Sequence, residues 1–235
     1  MDDRYVGSEL ELFSAAANWK SYIARLLRPH IGRRVLEVGA GIGSNIPYLY
    51  ATPVQSWVAL EPDRRLAAII QEKLNHGEIT QACRVVNGTI DSLEDDDVFD
   101  TILYLDVIEH IADDAAELQR AARRLAQGGK LIVLAPAHQF LFSPFDAAIG
   151  HHRRYTAASI RAIGPPGSRV EVCRMLDSIG FFASLANRVM LRSAQPTAAQ
   201  IRFWDNVLVP LSGVVDRLSG FVFGKSVVVV WSFPQ

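Results

Sequence analysis

The stretch Arg33-Arg34-Val35-Leu36-Glu37-Val38-Gly39-Ala40-Gly41-Ile42-Gly43-Ser44-Asn45 decides how this chain folds. Its apolar, β-branched first half has the composition of a buried strand, and three glycines at alternate positions then predict a tight strand-to-helix turn. Glycine lets the backbone take positive φ and lets a ligand approach the main chain closely. A helix opening near Ser44 or Asn45 turns unpaired N–H groups toward that ligand. The turn is therefore of a nucleotide-holding kind. Two residues narrow it further. Glu37, two positions before the first glycine, repels phosphate oxygens and favours a cation such as an ammonium group. Ser44 stands where a G-x-G-x-x-G dinucleotide fingerprint needs glycine.

The chain around this turn has 235 residues, 49% of them hydrophobic, which suffices for one α/β domain with an insertion. A net charge of −1 leaves no electrostatic footprint for nucleic acid and points to a small or neutral partner. Cys83 and Cys173 are far apart and lack metal-binding spacing, so free thiols in a reducing compartment are expected. Met1-Asp2-Asp3-Arg4 opens without an apolar signal segment, and no run of about 18 uncharged apolar residues suggests a transmembrane segment. A cytoplasmic protein is the expectation.

Upstream, Leu12, Phe13, Ala16, Trp19, Ile23, Leu26 and Leu27 predict a helix over 9–28, stopped by Pro29 and Gly32. Downstream, a short helix is expected over 45–51. Strands follow at 55–60, 83–87, 99–105 and 130–135. Between them Leu66, Ile69, Ile70 and Leu74 follow a helical period behind a capping Asp63. An alanine-rich helix with Leu118 and Leu125 on one face is expected to end at Gly128-Gly129. Strands alternating with helices mean a parallel, doubly wound sheet, which holds ligands beyond the carboxyl ends of its strands. There Glu61, at the tip of the second strand, suits the ribose hydroxyls of an adenosine. Beyond Pro136 the alternation breaks into a long segment, 137–155, of functional aspect. A helix near 156–163, a strand at 169–176, a helical region over 179–220 and a closing strand at 225–231 complete the chain. Ile201, Trp204, Leu208, Leu211, Val215 and Leu218 lie near a 3.5-residue spacing, which suits core cover ahead of a dimer surface, as in a homodimer, or an apolar acceptor wall.

Val35-Leu36-Glu37-Val38-Gly39-Ala40-Gly41-Ile42-Gly43 resembles motif I of the class I S-adenosylmethionine-dependent methyltransferases. Glu61, Phe99-Asp100-Thr101-Ile102, Asp106-Val107-Ile108-Glu109-His110 and Gly128-Gly129-Lys130-Leu131 match that family's later landmarks in order, over about residues 30–136. The resemblance implies a Rossmann-like, seven-stranded, mostly parallel sheet with helices on both faces. Its last strand is antiparallel, between strands five and six, with a helical insertion before it. It divides the single domain into a helical cap (1–30), a cofactor-binding core (31–136), an acceptor-side loop and helical insertion (137–224) and the closing strand (225–235).

It further implies that Glu37 and the backbone of Gly39, Ala40, Gly41 and Gly43, with Asn45, hold the methionine moiety of S-adenosylmethionine. Glu61 and Pro62 lie at the ribose, and Thr89 and Ile90 flank the adenine. Leu105, Asp106 and His110 close the pocket. Thr89 departs from the acidic residue that many members carry there. Methyl transfer to an oxygen, nitrogen or carbon nucleophile needs orientation and, for a protonated nucleophile, a base. Candidates are His138, Asp146, His151, His152 and Tyr155, with Arg153 and Arg154 beside them. Phe145-Asp146-x-x-x-Gly150-His151-His152-Arg153-Arg154-Tyr155 also resembles a subgroup found among bacterial glycan and small-molecule biosynthesis proteins, which puts His151, Arg154 and Tyr155 near the acceptor.

The catalytic set expected is His151 as general base with Asp146 and Tyr155, acting on a small-molecule acceptor that is glycan, lipid-linked or a secondary metabolite. O-methylation is favoured over N- or C-methylation. Glu109 has a plainer reading as a helix-start acid. No metal is expected, because the adjacent His151 and His152 seldom point at one ion. Of Arg153 and Arg154, one structural ion pair and one solvated side chain are expected. Trp19 and Tyr22 suit either a lid or ordinary packing. The alternative from another class is a cofactor-binding regulatory or scaffold protein without methyl transfer, and a nicotinamide dehydrogenase stands third.

Overall fold

The computed structural model describes residues 9–51, 53–186 and 197–234. Seven strands form one sheet: β1 (Arg34–Val38), β2 (Ser56–Glu61), β3 (Cys83–Asn87), β4 (Phe99–Leu105), β5 (Leu125–Pro136), β6 (Arg169–Leu176) and β7 (Ser226–Ser232). Their order is β3-β2-β1-β4-β5-β7-β6. β1 to β5 run parallel, and β7 is antiparallel to both its neighbours, β5 and β6. The order reverses between β1 and β4, so a crevice opens beyond their carboxyl ends, where a ligand is held in open α/β sheets. The expected seven-stranded sheet with its antiparallel closing strand is thus present.

The helices are α1 (Glu9–Ser14), α2 (Ala17–Leu27), α3 (Ile46–Leu49), α4 (Arg64–Asn75), α5 (Asp114–Ala122), α6 (Pro144–Ala148), α7 (Ala157–Ala162), α8 (Ser178–Ala186), α9 (Ala198–Phe203) and α10 (Val209–Leu218). Successive strand residues serve opposite faces of the sheet. Val35 joins an apolar cluster with Trp57, Leu103 and Val230, whereas Leu36 joins the opposite cluster with Tyr104, Val133 and Trp231. Both faces of β4, of β7 and of β5 from Leu131 onward are buried, which explains the apolar runs there.

Four local expectations are corrected. The single helix over 9–28 is two helices. Lys20 Nζ donates to the carbonyls of Phe13 at 2.7 Å and Ser14 at 2.8 Å, satisfying the end of α1. The alanine-rich helix stops at Ala122, not at Gly128-Gly129. Leu125 instead pairs with Phe99 as the start of β5, and the ladder shifts register before Thr101 meets Lys130. His110 closes a 3₁₀ turn, Ile108–His110, ahead of the helix capped by Asp113.

Finally, the apolar spacing over 201–218 does not make one buried face. A π turn at Trp204–Leu208 inserts an extra residue, so the face shifts phase. Val209, Ser212 and Asp216 become the buried positions, and Leu211 and Leu218 are exposed. Residues 187–196 of the expected helical region lie outside the described residues.

Candidate functional site

β1 ends in the glycine turn, and its main chain is satisfied locally. Gly39 N donates to Leu60 O at 2.8 Å and Gly43 N to Ala40 O at 2.9 Å. Gly39, Gly41 and Gly43 have φ of 65°, 59° and 70°, the left-handed conformation the sequence anticipates. Glu37 lies under this turn, 1% exposed. Asn45 Nδ2 donates to its Oε1 at 3.2 Å, while Oε2 has no hydrogen-bond partner among the described residues. Burial raises the Glu37 carboxyl to about 7, against the opposing pull of Asn45 and of the nearby Trp57 indole. A buried carboxylate oxygen without a donor is costly alone and suits a ligand's ammonium group. The residues present therefore fit the methionine end of an adenosyl cofactor.

Glu61, 5% exposed, accepts from Gly41 N at 2.8 Å through Oε2 and from Asp63 N at 2.9 Å through Oε1. It braces the glycine turn while each oxygen keeps a lone pair for a further donor. Burial raises this carboxyl also to about 7. Thr89 and Ser92 form a capping box around the turn Ile90–Ser92, and Ile90 is buried.

A cavity of about 1390 Å³ adjoins the turn. It brings together Gly39, Ala40, Gly41, Asn45, Leu105, Asp106, His110, Asp146 and His151 from the sequence reading. Glu37, Gly43, Glu61, Pro62, Thr89, Ile90 and Tyr155 do not line it. The volume exceeds that of ordinary single-ligand pockets, about 300–1,000 Å³, and leaves room for a cofactor and a second molecule. Trp19, Lys20 and Ile23 of α2 and Phe13 of α1 cover it from above. Burial lowers the Lys20 ammonium to about 8. Tyr22 packs elsewhere, its hydroxyl donating to Asp216 Oδ2 at 2.5 Å.

Asp146 is wholly buried and is the hub of the loop. It accepts from Ser143 Oγ at 2.7 Å and pairs with His151 Nδ1 at 2.9 Å. The Arg154 guanidinium reaches it through both Nε and Nη2, each at 2.9 Å. Burial pushes its carboxyl up, but His151, Arg154 and Ser143 outweigh that and hold it at about 2. Arg153 pairs with Asp114 at 2.7 Å, so neither arginine of the pair is the solvated side chain expected. Tyr155 is buried, and its hydroxyl donates to Asp114 Oδ2 at 2.8 Å, which fixes the loop to α5. His138 pairs with Gly224 O at 3.0 Å away from the cavity, and His152 is exposed.

Sequence reasoning gave Glu109 only a helix-start role, yet it is fully buried in the cavity wall. Neither of its carboxylate oxygens has a hydrogen-bond partner among the described residues. Burial and the neighbouring Asp106 push its carboxyl well above the usual range. His151 Nε2 is 3.8 Å from Glu109 Oε1, and the rings of His151 and His110 meet edge-to-face at 4.5 Å. The available signal was Asp106-x-x-Glu109-His110, which puts two carboxylates and an imidazole on one turn after β4. Asp106 itself has φ of 55°, and burial lifts its carboxyl to about 6.

A family model described as a methyltransferase domain matches residues 12–181. The ubiquinone biosynthesis O-methyltransferase of Azorhizobium caulinodans is 32% identical over 111 residues, 47% of this chain and 43% of that protein. The match thus spans less than half of that relative's length. Haemonchus contortus phosphoethanolamine N-methyltransferase 2, solved with S-adenosyl-L-methionine, is similar in fold with a TM-score of 0.63 and 18% identity. The likeness covers 99% of this chain and 59% of that one. A coclaurine N-methyltransferase bound to N-methylheliamine and S-adenosylhomocysteine gives a TM-score of 0.62 at 13% identity over 90% of this chain and 71% of that one. With the match to residues 12–181 on a seven-stranded sheet of this order, the chain belongs to the methyltransferase-domain family.

Proposed function

We propose that the enzyme methylates a hydroxyl oxygen of a small-molecule acceptor seated in the cavity beside the glycine turn. The observation that carries this reading is the meeting of two features at one cavity. One is the turn under which Glu37 keeps an unpartnered oxygen, and the other is the cluster Glu109, His110 and His151. S-adenosylmethionine supplies an activated methyl group. The chain's part is to orient both partners and to let the acceptor's proton leave. Glu37, Asn45 and the backbone of Gly39 to Gly41 hold the methionine end, and Glu61 takes the ribose. Asp146 holds His151 by Nδ1, which turns Nε2 toward Glu109 at the cavity wall. The acceptor's proton leaves at that cluster. Tyr155, bonded to Asp114, acts as a brace for the loop.

Similarity to an O-methyltransferase over 111 residues supports oxygen as the target. The cavity's concave, mostly apolar lining favours a small acceptor over a macromolecule.

A methyl-labelled cofactor is incubated with the enzyme and matched sets of hydroxylated and amino-bearing small molecules. Labelled ethers are the expected products, and labelled amines alone would overturn the oxygen assignment. His151→Ala is expected to lower kcat by about 10²–10⁴-fold, with S-adenosylhomocysteine affinity in calorimetry unchanged. Near-normal turnover of that variant across pH 6–9 would remove His151 from the chemistry.

A further inference from the structure

Glu109, His110 and His151 offer one carboxylate oxygen and two imidazole nitrogens within 4.8 Å of one another. The three residues come from two separate segments: the turn after β4 brings Glu109 and His110, and the loop after α6 brings His151. All three line the cavity. We propose that this cluster is a binding site for a divalent transition-metal ion, with positions left open toward the acceptor.

Three observations carry the assignment. The first is Glu109, wholly buried with both carboxylate oxygens lacking a hydrogen-bond partner among the described residues. A native fold rarely leaves two such acceptors unmet, and a cation between them and the imidazoles meets both. The second is the support behind His151. Asp146 holds its Nδ1 at 2.9 Å and is itself gripped by Arg154 and Ser143, which leaves Nε2 turned to Glu109 at 3.8 Å. A carboxylate on the far nitrogen is the arrangement that orients metal-binding histidines and strengthens them as ligands. The third is the donor spacing. Ligand-to-metal distances near 2.0–2.2 Å put donors about 3–4 Å apart, so small side-chain rotations bring the three onto one ion.

The adjacent histidines of the loop, His151 and His152, do not share the ion. His152 is exposed, and the second imidazole comes from His110 across the cavity wall. That is why the spacing of the two loop histidines gave no sign of the site.

Two imidazoles and a carboxylate, with no sulfur, suit Zn²⁺, Co²⁺ or Mn²⁺ better than Mg²⁺ or Ca²⁺, which prefer all-oxygen ligand sets. Three protein ligands leave open positions, as in catalytic rather than structural metal sites. An acceptor hydroxyl filling one of them would have its pKa lowered there, with His151 and Glu109 acting as ligands instead of taking the proton themselves. That role rests on the methyl-transfer reading above. Binding of the ion does not.

The test uses the full chain, stripped with chelator and titrated with Co²⁺ while the visible absorption of the bound ion is followed. One equivalent is expected to bind with a Kd in the micromolar range or tighter, and Zn²⁺ is expected to displace it. Glu109→Gln and His151→Ala, each checked for fold by S-adenosylhomocysteine binding, are expected to weaken Co²⁺ at least 100-fold. Asp146→Asn, which leaves all three ligands in place, is expected to weaken it about 10–100-fold. No saturable Co²⁺ or Zn²⁺ binding below millimolar, or equal binding in the Glu109 variant, would overturn the proposal. Loss of S-adenosylhomocysteine binding by the unsubstituted chain would instead strike the cofactor reading and leave the metal result standing.

Discussion

Glu37 and Glu61 close the tips of two neighbouring parallel strands, and burial holds both carboxyls near 7 without a ligand. A cationic ligand binds the ionised form of Glu37, so its affinity must rise as that form becomes populated. With a pKa of about 7, the ionised fraction grows about tenfold from pH 6 to pH 8. Calorimetry with S-adenosylmethionine is expected to show about that gain over this range, with protons released on binding near pH 6.5. A flat profile would mean that Glu37 does not face the ligand's charge. Gly39 offers a second test. A β-carbon there would lie 2.7 Å from Val107 Cγ2, at a φ of 65° that side chains resist. Gly39→Ala is expected to cost at least about 2 kcal/mol in denaturant melts, combining backbone strain with overpacking. Val107→Ala in the same chain should return the overpacking part only.

At the scale of elements, the segment from α9 to α10 turns on its π turn. Beyond it Asp216 is wholly buried and accepts from Tyr22 Oη at 2.5 Å, Asp177 N at 2.8 Å and Ser178 N at 3.0 Å. This one carboxylate ties α10 to α2 and to the start of α8. Asp216→Ala leaves three buried donors unmet and is expected to cost about 3 kcal/mol or more. Leu218, 83% exposed, belonged to the same apolar spacing in the sequence, yet Leu218→Ser should change stability by less than about 0.5 kcal/mol. Thermal melts of the two variants check the burial difference that the phase shift creates. The helical period was legible in the sequence, but an inserted residue leaves composition unchanged while moving every later side chain around the axis. No local signal marks where that happens.

For the whole molecule, the acceptor loop is held together by charge as much as by apolar packing. Asp146 is kept at about 2, below its ordinary value near 4, by partners that exist only in the folded chain. A depressed carboxyl contributes stability that is fully present above its unfolded pKa and is lost as pH falls through the folded one. Acid unfolding followed by tryptophan fluorescence is therefore expected to steepen between pH 4 and pH 2, and Asp146→Asn should flatten that limb. The loop's ionic groups lie in a segment separate from the glycine turn, so loosening them is expected to weaken acceptor binding before cofactor binding.

The sequence by itself determined the alternation of strands and helices, the glycine turn and the carboxylates at the strand tips. Each of these rests on residues within a few positions of one another, where propensity, φ freedom and alternation act directly. The tertiary structure decided what the acceptor side is made of. Glu109 read as a helix-start acid, and only folding buried it beside an imidazole delivered from a loop 42 residues later, at His151. Asp146, Arg154 and Ser143 acquire their meaning the same way, by meeting across a turn that no period announces. Burial and long-range juxtaposition set the cost of an unpaired charge, and neither exists until the chain has closed on itself.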